Sequence, residues 1–455
     1  MKFGGSSVES AAAIERVASI VRARLDRRPV VVVSAMAKTT NRLLAMARTA
    51  VSGDRQRALE QLKWLRDYHV EHGLALTHPE DELEFNAVIA EHFQELGELV
   101  RGLAVLGELT PRSIDAISSY GERLSSRIVT FGFRKFGIDA EFVDARDVVV
   151  TDNRHTQAAP QYPATYERLA ATLPPMLECG RVVVMGGFIA ATEDGVTTTL
   201  GRGGSDFSAA IVGAGIGAEE IQIWTDVDGV LTADPSILPN ARRLKVMSFA
   251  EAAELAYFGA KVLHPATVIP AIEKNIPVVV LNSRHPEFKG TRIVAEAVPS
   301  LNPVKSIAYK ENITVVNITS TRMLMAYGFL KRIFEVFAKY ETPVDMVSTS
   351  EVSVSLTIDN TSALDAIRGE LAEIADVQVG NGNVILCLVG DNIRGRCGVS
   401  GRAFGALRDI NIHMISEGSS QLNLSLVVSE DDLNAAVTAL HDEFFEELDP
   451  ELFYE

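Results

Sequence analysis

A glycine-rich turn that also carries an arginine and an aspartate, Thr199-Leu-Gly-Arg-Gly-Gly-Ser-Asp206, has the makings of an anion site. Gly201, Gly203 and Gly204 let the backbone approach a ligand closely and present N–H groups to it. Arg202 offers a planar fork matched to carboxylate or phosphate, and Asp206 a partner for a cation. Ser205 to Val212 reads as a helix, which puts Ser205 or Asp206 at a helix N-terminus, where anions are favoured. A tight turn alone accounts for such a run as readily. A second glycine turn adds weight: Met1-Lys-Phe-Gly-Gly-Ser-Ser7 also precedes a helix. Lys2 there stands at the end of a first strand, ahead of Gly4, Gly5 and Ser6, a placement suited to phosphate. A solvated lysine beside a structural turn explains it too. The lysine precedes the glycines and no GxxxxGK[ST] occurs, which excludes a Walker-type loop.

Other candidates are weaker alone. Thr225-Asp226 follows the strand-like run 220–224, and ligands of open α/β sheets gather at the carboxyl ends of strands; an Asx turn leading to Gly229 is the plain alternative. Glu122 is a helical acid next to Gly121, which a solvated surface acid would match. Lys261 lies three residues before His264, and a histidine closing a helix before Pro265 is the simpler reading of the latter. Gly213-Ala-Gly-Ile-Gly-Ala218 fits a loose GxGxxA pattern, but it follows a helix and precedes a strand. That is the reverse of a dinucleotide fingerprint, so it reads as a helix C-cap. No HExxH, GxSxG or metal-ligand cluster is present.

The elements that must position these residues alternate. Val30–Ser34 is a short β-branched run bounded by Pro29, a buried strand. Ile14, Val17, Ile20, Val21 and Leu25 share a helical face before it. Residues 53–108 are charged and helix-rich, a helical insertion; 110–136 reads as another helix. Strands follow at 139–143, 181–185, 220–224 and 277–281, with helical runs at 248–258 and 265–274. This pattern predicts an open α/β sheet sandwiched by helices over 1–295. After a linker at Pro299, Asn302 and Pro303 the texture changes, and a repeat appears. Gly328-Phe-Leu-Lys-Arg-Ile-Phe334 matches Gly398-Val-Ser-Gly-Arg-Ala-Phe404, each followed by a strand, an alternating strand and a helix. Two tandem ferredoxin-like βαββαβ modules are expected, about 304–380 and 381–455.

The composition bounds the function. With 455 residues, several domains are expected. A net charge of −17 and a pI near 5.1 argue against non-specific binding to nucleic acid or anionic membrane, though not against a local phosphate pocket. No apolar run reaches the length of a transmembrane helix and no secretory signal is visible. Cys179, Cys387 and Cys397 lack CxxC spacing and read as reduced thiols of a cytoplasmic protein.

Taken together, Lys2-Phe-Gly-Gly-Ser-Ser7, Thr199 to Asp206, Trp224-Thr-Asp226 and Phe258-Gly-Ala-Lys-Val-Leu-His-Pro265 resemble aspartate kinase, along essentially the whole chain. The resemblance implies an amino-acid-kinase domain, two regulatory ACT modules, and transfer of the ATP γ-phosphoryl group to the side-chain carboxylate of L-aspartate. It places Lys2 on the transferring phosphate, with Asp206 organising the lysine side. Thr40, Glu122, Phe188, Arg202 and Ser205 would hold aspartate, with Arg202 on the α-carboxylate and Glu122 facing the α-ammonium. Gly4, Gly5 and Ser6 would line the phosphates; Thr225, Asp226 and Lys261 would contact the nucleotide. Mg²⁺ would arrive with ATP, since no dense carboxylate cluster exists to hold it. The segment 344–355 looks like the effector strands of lysine-inhibited, monofunctional members. It implies an amino-acid site, for lysine first, made by Met323, Gly328, Phe329, Leu330, Asp345, Ser350, Glu351 and Val352. A homodimer or dimer of dimers through the ACT modules follows. Three departures stand out: Ser6 replaces the family's usual threonine, only Met1 precedes Lys2 where the first strand usually begins earlier, and Ala326 occupies a position that is often serine.

Overall fold

The computed structural model describes residues 1–259, 268–296, 299–320, 327–418 and 420–454. They form two compact units, Met1–Gly229 with Leu263–Ala295, and Val230–Val262 with Glu296–Glu455.

The first unit opens with β1 (Lys2–Phe3), α1 (Ala11–Arg22), β2 (Val30–Val33) and α2 (Thr39–Val51). Ser10 starts α1 by accepting the Ala13 N–H, and Ile14, Val17 and Val21 bury the face that the sequence spacing marks. The helical insertion is α3 (Arg55–Ala75) with α4 (Glu82–Leu106). They pack so closely that a Cβ on Gly73 would lie 2.2 Å from the Phe85 ring. The helix expected over 110–136 is two, α5 (Pro111–Ser118) and α6 (Tyr120–Lys135). Next come β3 (Ala140–Phe142), α7 (Ala145–Val148), β4 (Val150–Thr151), α8 (Tyr162–Glu178) and β5 (Val182–Gly186). They lead to β6 (Ile189–Thr192), β7 (Thr197–Thr199), α9 (Gly204–Ile216) and β8 (Ile221–Thr225). The GxGxxA run ends α9, with Gly217 as its left-handed C-cap at φ 63°.

β9 (Val246–Ser248) and α10 (Phe249–Tyr257) belong to the second unit; α11 (Ile269–Glu273), β10 (Val278–Asn282) and β11 (Thr291–Val294) complete the first. The strands run β3-β5-β2-β1-β8-β10-β11. All neighbours are parallel except β10 and β11. β1 and β8 are neighbours, and the chain leaves β1 toward β2 on one side and β8 toward β10 on the other. That is a topological switch point, and the glycine turn after Lys2 stands at its carboxyl end. A small sheet of β4, β6 and β7 carries Thr199 into the second glycine turn.

In the second unit one antiparallel sheet runs β13-β14-β12-β15-β17-β16. Its elements are β12 (Ser306–Thr319), α12 (Phe329–Lys339), β13 (Val347–Thr349), β14 (Ser353–Ile358), α13 (Leu364–Leu371) and β15 (Asp376–Val389). α14 (Val399–Ala406), β16 (Met414–Glu417), β17 (Asn423–Ser429) and α15 (Leu433–Phe445) follow. Both modules of the repeat are present, but they share their long strands. β12 has register shifts between Lys310 and Val315, with Asn312 at φ 59°. Beyond them Thr314–Thr319 pairs with β14; before them Ser306–Lys310 pairs only with the part of β15 that also pairs with β17. The second module therefore takes its last strand from ahead of the first module rather than from the chain after α15.

The 230–262 segment also departs from the unbroken 1–295 domain. It packs with the second unit through a Leu244–Phe453 bridge and the Ile307 N–H donated to Thr232 O at 2.8 Å. Glu251 on α10 meets Lys305 Nζ at 2.7 Å, both side chains fully buried. The same carboxylate closes a capping box, accepting the Ser248 N–H at 2.7 Å. Removing one member of such a pair strands a charge in a dry interior. Lys305→Met should cost about 3–5 kcal/mol, and Lys305→Met with Glu251→Gln distinctly less; urea unfolding of both variants checks the difference.

Candidate active site

The two glycine turns meet at a cavity of about 370 Å³ in the first unit. From β1 and the turn after it come Lys2 and Gly5; from the turn between β2 and α2, Ser34, Ala35, Ala37 and Lys38, and from the start of α2, Thr40 and Asn41. α6 contributes Glu122, and Phe188, Gly201, Gly203, Gly204, Ser205 and Asp206 close the far side. A larger hollow of about 440 Å³, lined by Arg24, Arg27 and Glu220 among others, lies where β2 and β8 begin and holds none of the expected residues. Ligands of such sheets bind at the other end of the strands.

The central contact is an ion pair, Lys2 Nζ to Asp206 Oδ1 at 2.8 Å. Lys2 is fixed by β1, whose turn continues with the Gly4 N–H donated to Trp224 O at 3.1 Å. The next carbonyl, Gly5 O, accepts the Ala37 N–H at 3.1 Å. A Cβ on Gly5 would lie 2.8 Å from Ala37 O and 2.9 Å from Ala35 O, so only glycine lets the two turns interlock. Asp206 is in the first turn of α9, which Gly203 starts from a left-handed φ of 71°.

Phe188 is a non-glycine residue at φ 65°. Its N–H donates to Ser208 Oγ at 2.8 Å and its carbonyl accepts the Leu200 N–H at 2.9 Å, which hold it there. Such strain marks functional positions. A Cβ on Gly204 would fall 2.6 Å from the Phe188 ring, so the third glycine is also dictated by close approach.

Glu122 is almost wholly buried. Its Oε1 accepts the Ala35 N–H at 3.1 Å, and its Oε2 has no partner among the described residues. Burial pushes its carboxyl up to about 8, although the Ala35 N–H and the charge of Lys2 pull the other way. A carboxylate with an open oxygen on a cavity wall is suited to a ligand's ammonium, which would favour the ionised form.

Behind the α9 turn, Asp115 of α5 is a support that sequence reasoning missed. Fully buried, it accepts from Thr199 Oγ1 at 2.5 Å, His155 Nδ1 at 2.7 Å and the Thr156 N–H at 3.0 Å. Thr156 O in turn lies 3.1 Å from where a Cβ on Gly201 would be.

The remaining expected residues lie apart from this cavity. Arg202 is exposed, and it does not line the wall. Gly4, Ser6, Thr225 and Asp226 belong to the turns after β1 and β8 but do not line it either. Thr225 Oγ1 donates to Asp226 Oδ1 at 3.2 Å, and Asn282 Nδ2 reaches Asp228 Oδ1 at 2.6 Å. Ser7, not singled out from sequence, shares a 2.8 Å hydroxyl contact with Ser283, which also donates to Thr225 O at 3.1 Å. The ends of β1, β8 and β10 are thereby tied together. Lys261 and His264 lie outside the described residues.

In the second unit, Gly328 starts α12 at φ 78°, with Phe329 buried and Leu330 and Val352 partly exposed. Ser350 shares a 2.7 Å contact with the Ser353 hydroxyl, and Glu351 is exposed. Asp345 is already engaged: its Oδ1 accepts from Lys310 Nζ at 2.7 Å and from the Tyr257 hydroxyl at 3.3 Å, while Oδ2 is buried without a partner. Met323 and Ala326 lie outside the described residues.

Residues 1–282 match the Amino acid kinase family, and residues 316–369 and 386–444 match the ACT domain. Across 98% of its length the chain is 42% identical to Aspartokinase 3, chloroplastic, of Arabidopsis thaliana, covering 81% of that protein. It is 36% identical to Lysine-sensitive aspartokinase 3 of Escherichia coli, each chain covered to 98%. The crystal structure of E. coli aspartokinase III with aspartate and ADP superposes with a TM-score of 0.81 at 36% identity, over 98% of this chain and 99% of that one. The chain belongs to the aspartokinases, amino acid kinases that phosphorylate aspartate and carry ACT domains.

The buried Glu122 sets a pH dependence. Its folded value near 8 exceeds the 4.5 of the unfolded chain, so between these values the folded protein holds a proton that the unfolded chain lacks. Stability from this group therefore falls as pH rises through that window. In urea unfolding at pH 5, 7 and 9, Glu122→Gln should gain on the unsubstituted protein as pH climbs. A gap that does not move with pH would contradict the assignment.

Proposed function

We propose that this chain transfers the γ-phosphoryl group of ATP to the side-chain carboxylate of L-aspartate, giving 4-phospho-L-aspartate and ADP at the entry to lysine, threonine and methionine biosynthesis. The observation that carries this reading is the cavity in which the Lys2–Asp206 pair, two glycine turns and the open oxygen of Glu122 converge. A carboxylate oxygen attacks the γ-phosphorus, the bond to the β,γ-bridging oxygen breaks, and ADP leaves with the electron pair. The nucleophile is an anion at neutral pH, so no general base is needed. The obstacle is repulsion between two anions, and the protein's work is positioning and charge compensation.

In this reading Lys2 meets the transferring phosphoryl group, and Asp206 fixes the ammonium at the head of α9. Glu122 takes the α-ammonium of aspartate, with Thr40, Phe188 and Ser205 around the substrate. Arg202 swings from its exposed position to the α-carboxylate. Gly4, Gly5 and Ser6 face the phosphates; Thr225, Asp226 and Lys261 serve the nucleotide. Mg²⁺ comes on the triphosphate and offsets its charge. The kinase domain is the first unit, 1–229 with 263–295, and the two ACT modules fill 304–455 with their long strands shared. The subunits pair through the ACT modules, in a dimer or dimer of dimers. No helix among the described residues is long and apolar enough to cross a membrane, and free thiols at Cys179, Cys387 and Cys397 suit the reducing cytoplasm.

Free lysine is the proposed effector, bound between the first ACT modules of two subunits. Asp345 Oδ2 and Glu351 offer oxygens to its two ammonium groups, and the Gly328–Leu330 N–H groups face its carboxylate. Inhibition then works by favouring a less active state of the protein.

Hydroxylamine traps an acyl phosphate as its hydroxamate. ATP with L-aspartate should yield aspartyl hydroxamate matched by ADP, and L-glutamate should yield none. Lys2→Ala should lower kcat by about 10²–10³-fold, the usual loss of one donor to developing charge, with aspartate binding little changed; near-normal turnover would remove Lys2 from the mechanism. Titration calorimetry should show lysine binding, and Glu351→Ala should weaken it while uninhibited activity stays nearly intact. Binding of threonine but not lysine would overturn the effector assignment alone.

A further inference from the structure

The charge balance of the cavity leaves one residue without an assigned task. Lys2 is committed to Asp206 at 2.8 Å. Arg202 is exposed and off the wall. Lys38 lines the cavity from the β2–α2 turn, and no carboxylate of the described residues lies within ion-pair distance of its ammonium. Its backbone is held firmly. Ala37 before it takes φ 48° and donates its N–H to Gly5 O at 3.1 Å; Thr39 after it donates Oγ1 to Met36 O at 2.7 Å. Ala35, three residues earlier, is pinned by Glu122 Oε1 at 3.1 Å. The Lys38 side chain therefore springs from a rigid turn interlocked with the Lys2 turn, while its ammonium stays uncommitted.

Two further observations favour an anion in front of it. Lys38 is the N-cap residue of α2, a helix of 13 residues whose first turn has no side-chain cap, so N–H groups and the positive end of the dipole add to the lysine charge. The buried Glu122 oxygen, without a partner among the described residues, suits a ligand carrying an ammonium group in this same cavity. An amino acid held there by its ammonium presents its acidic end elsewhere in the cavity, and Lys38 is the cation that awaits it.

We propose that Lys38 is a further catalytic residue, whose ammonium meets the negative charge that the aspartate carboxylate and the transferring phosphoryl oxygens share as they are brought together. This rests on the aspartate-phosphorylating reading above. Lys2 and Lys38 then offset the repulsion between the two anions from two interlocked turns, one after β1 and the other after β2. No atom is transferred to or from Lys38; it stays protonated throughout.

The test uses the full chain with Lys38→Met and Lys38→Arg, the hydroxamate assay at saturating ATP and L-aspartate, calorimetry with ADP, and thermal melting. Lys38→Met should lose about 100-fold in kcat, in the range of one oxyanion donor, with ADP affinity and melting temperature unchanged. Lys38→Arg, which keeps the charge, should recover at least tenfold of that loss. A Met variant within threefold of the parent kcat overturns this inference alone. So does a loss of ADP affinity that matches the loss of turnover, since Lys38 would then be a nucleotide anchor. A parent chain that forms no aspartyl hydroxamate overturns the proposed function and this inference together.

Discussion

Lys2 meets Asp206 at 2.8 Å from two turns that are each packed at glycine spacing. Gly5 lies against the carbonyls of Ala35 and Ala37, and Gly204 against the ring of Phe188. Both contacts exclude even a methyl group. A reaction between two anions demands this density of donors and cations, and only backbone packed at glycine spacing delivers it. The rest of the first unit serves that approach. β1, two residues long, is held from both sides by β2 and β8. Asp115 braces the α9 turn from behind, and Ser7 with Ser283 ties together the strand ends.

Much of this was legible in the sequence, for physical reasons. β-branched runs such as Val30–Val33 can only be buried strands in an alternating chain, and both glycine turns fall at strand ends followed by helices. Glu122 was found through resemblance, yet its burial and open oxygen are properties of the packed α6 alone. Lys38 and Asp115 were invisible because nothing in their neighbours marks them; their meaning comes from contacts with residues far off in the chain, such as Asp115 with Thr199. Arg202 shows the converse. Its type and place in the motif suggest a substrate contact, but the side chain is exposed and off the cavity wall.

The second unit carries a different lesson. A repeat of matched segments implies two separate modules, whereas pairing shows two long strands each serving both. The register shifts in β12, not a linker, divide it between the modules. α10 is woven into the same unit at three points: Glu251 with Lys305, Glu254 with Ser420 and Asn423, and Tyr257 with Asp345. Burial depresses the Lys310 ammonium, but its bonds to Asp345 and Asp359 outweigh that and hold it above the ordinary lysine range. A cation arriving at Asp345 must therefore share a carboxylate that already serves Lys310 and α10.

The central claim is that the protein moves phosphorus by placing charges, with the substrate carboxylate as the only nucleophile. The stereochemical course of transfer tests it most directly. With ATP made chiral at the γ-phosphorus by oxygen isotopes, a single in-line displacement onto aspartate predicts inversion of configuration in the phosphoryl group of the product. Retention would require a phosphorylated protein residue between the two substrates and would contradict the account.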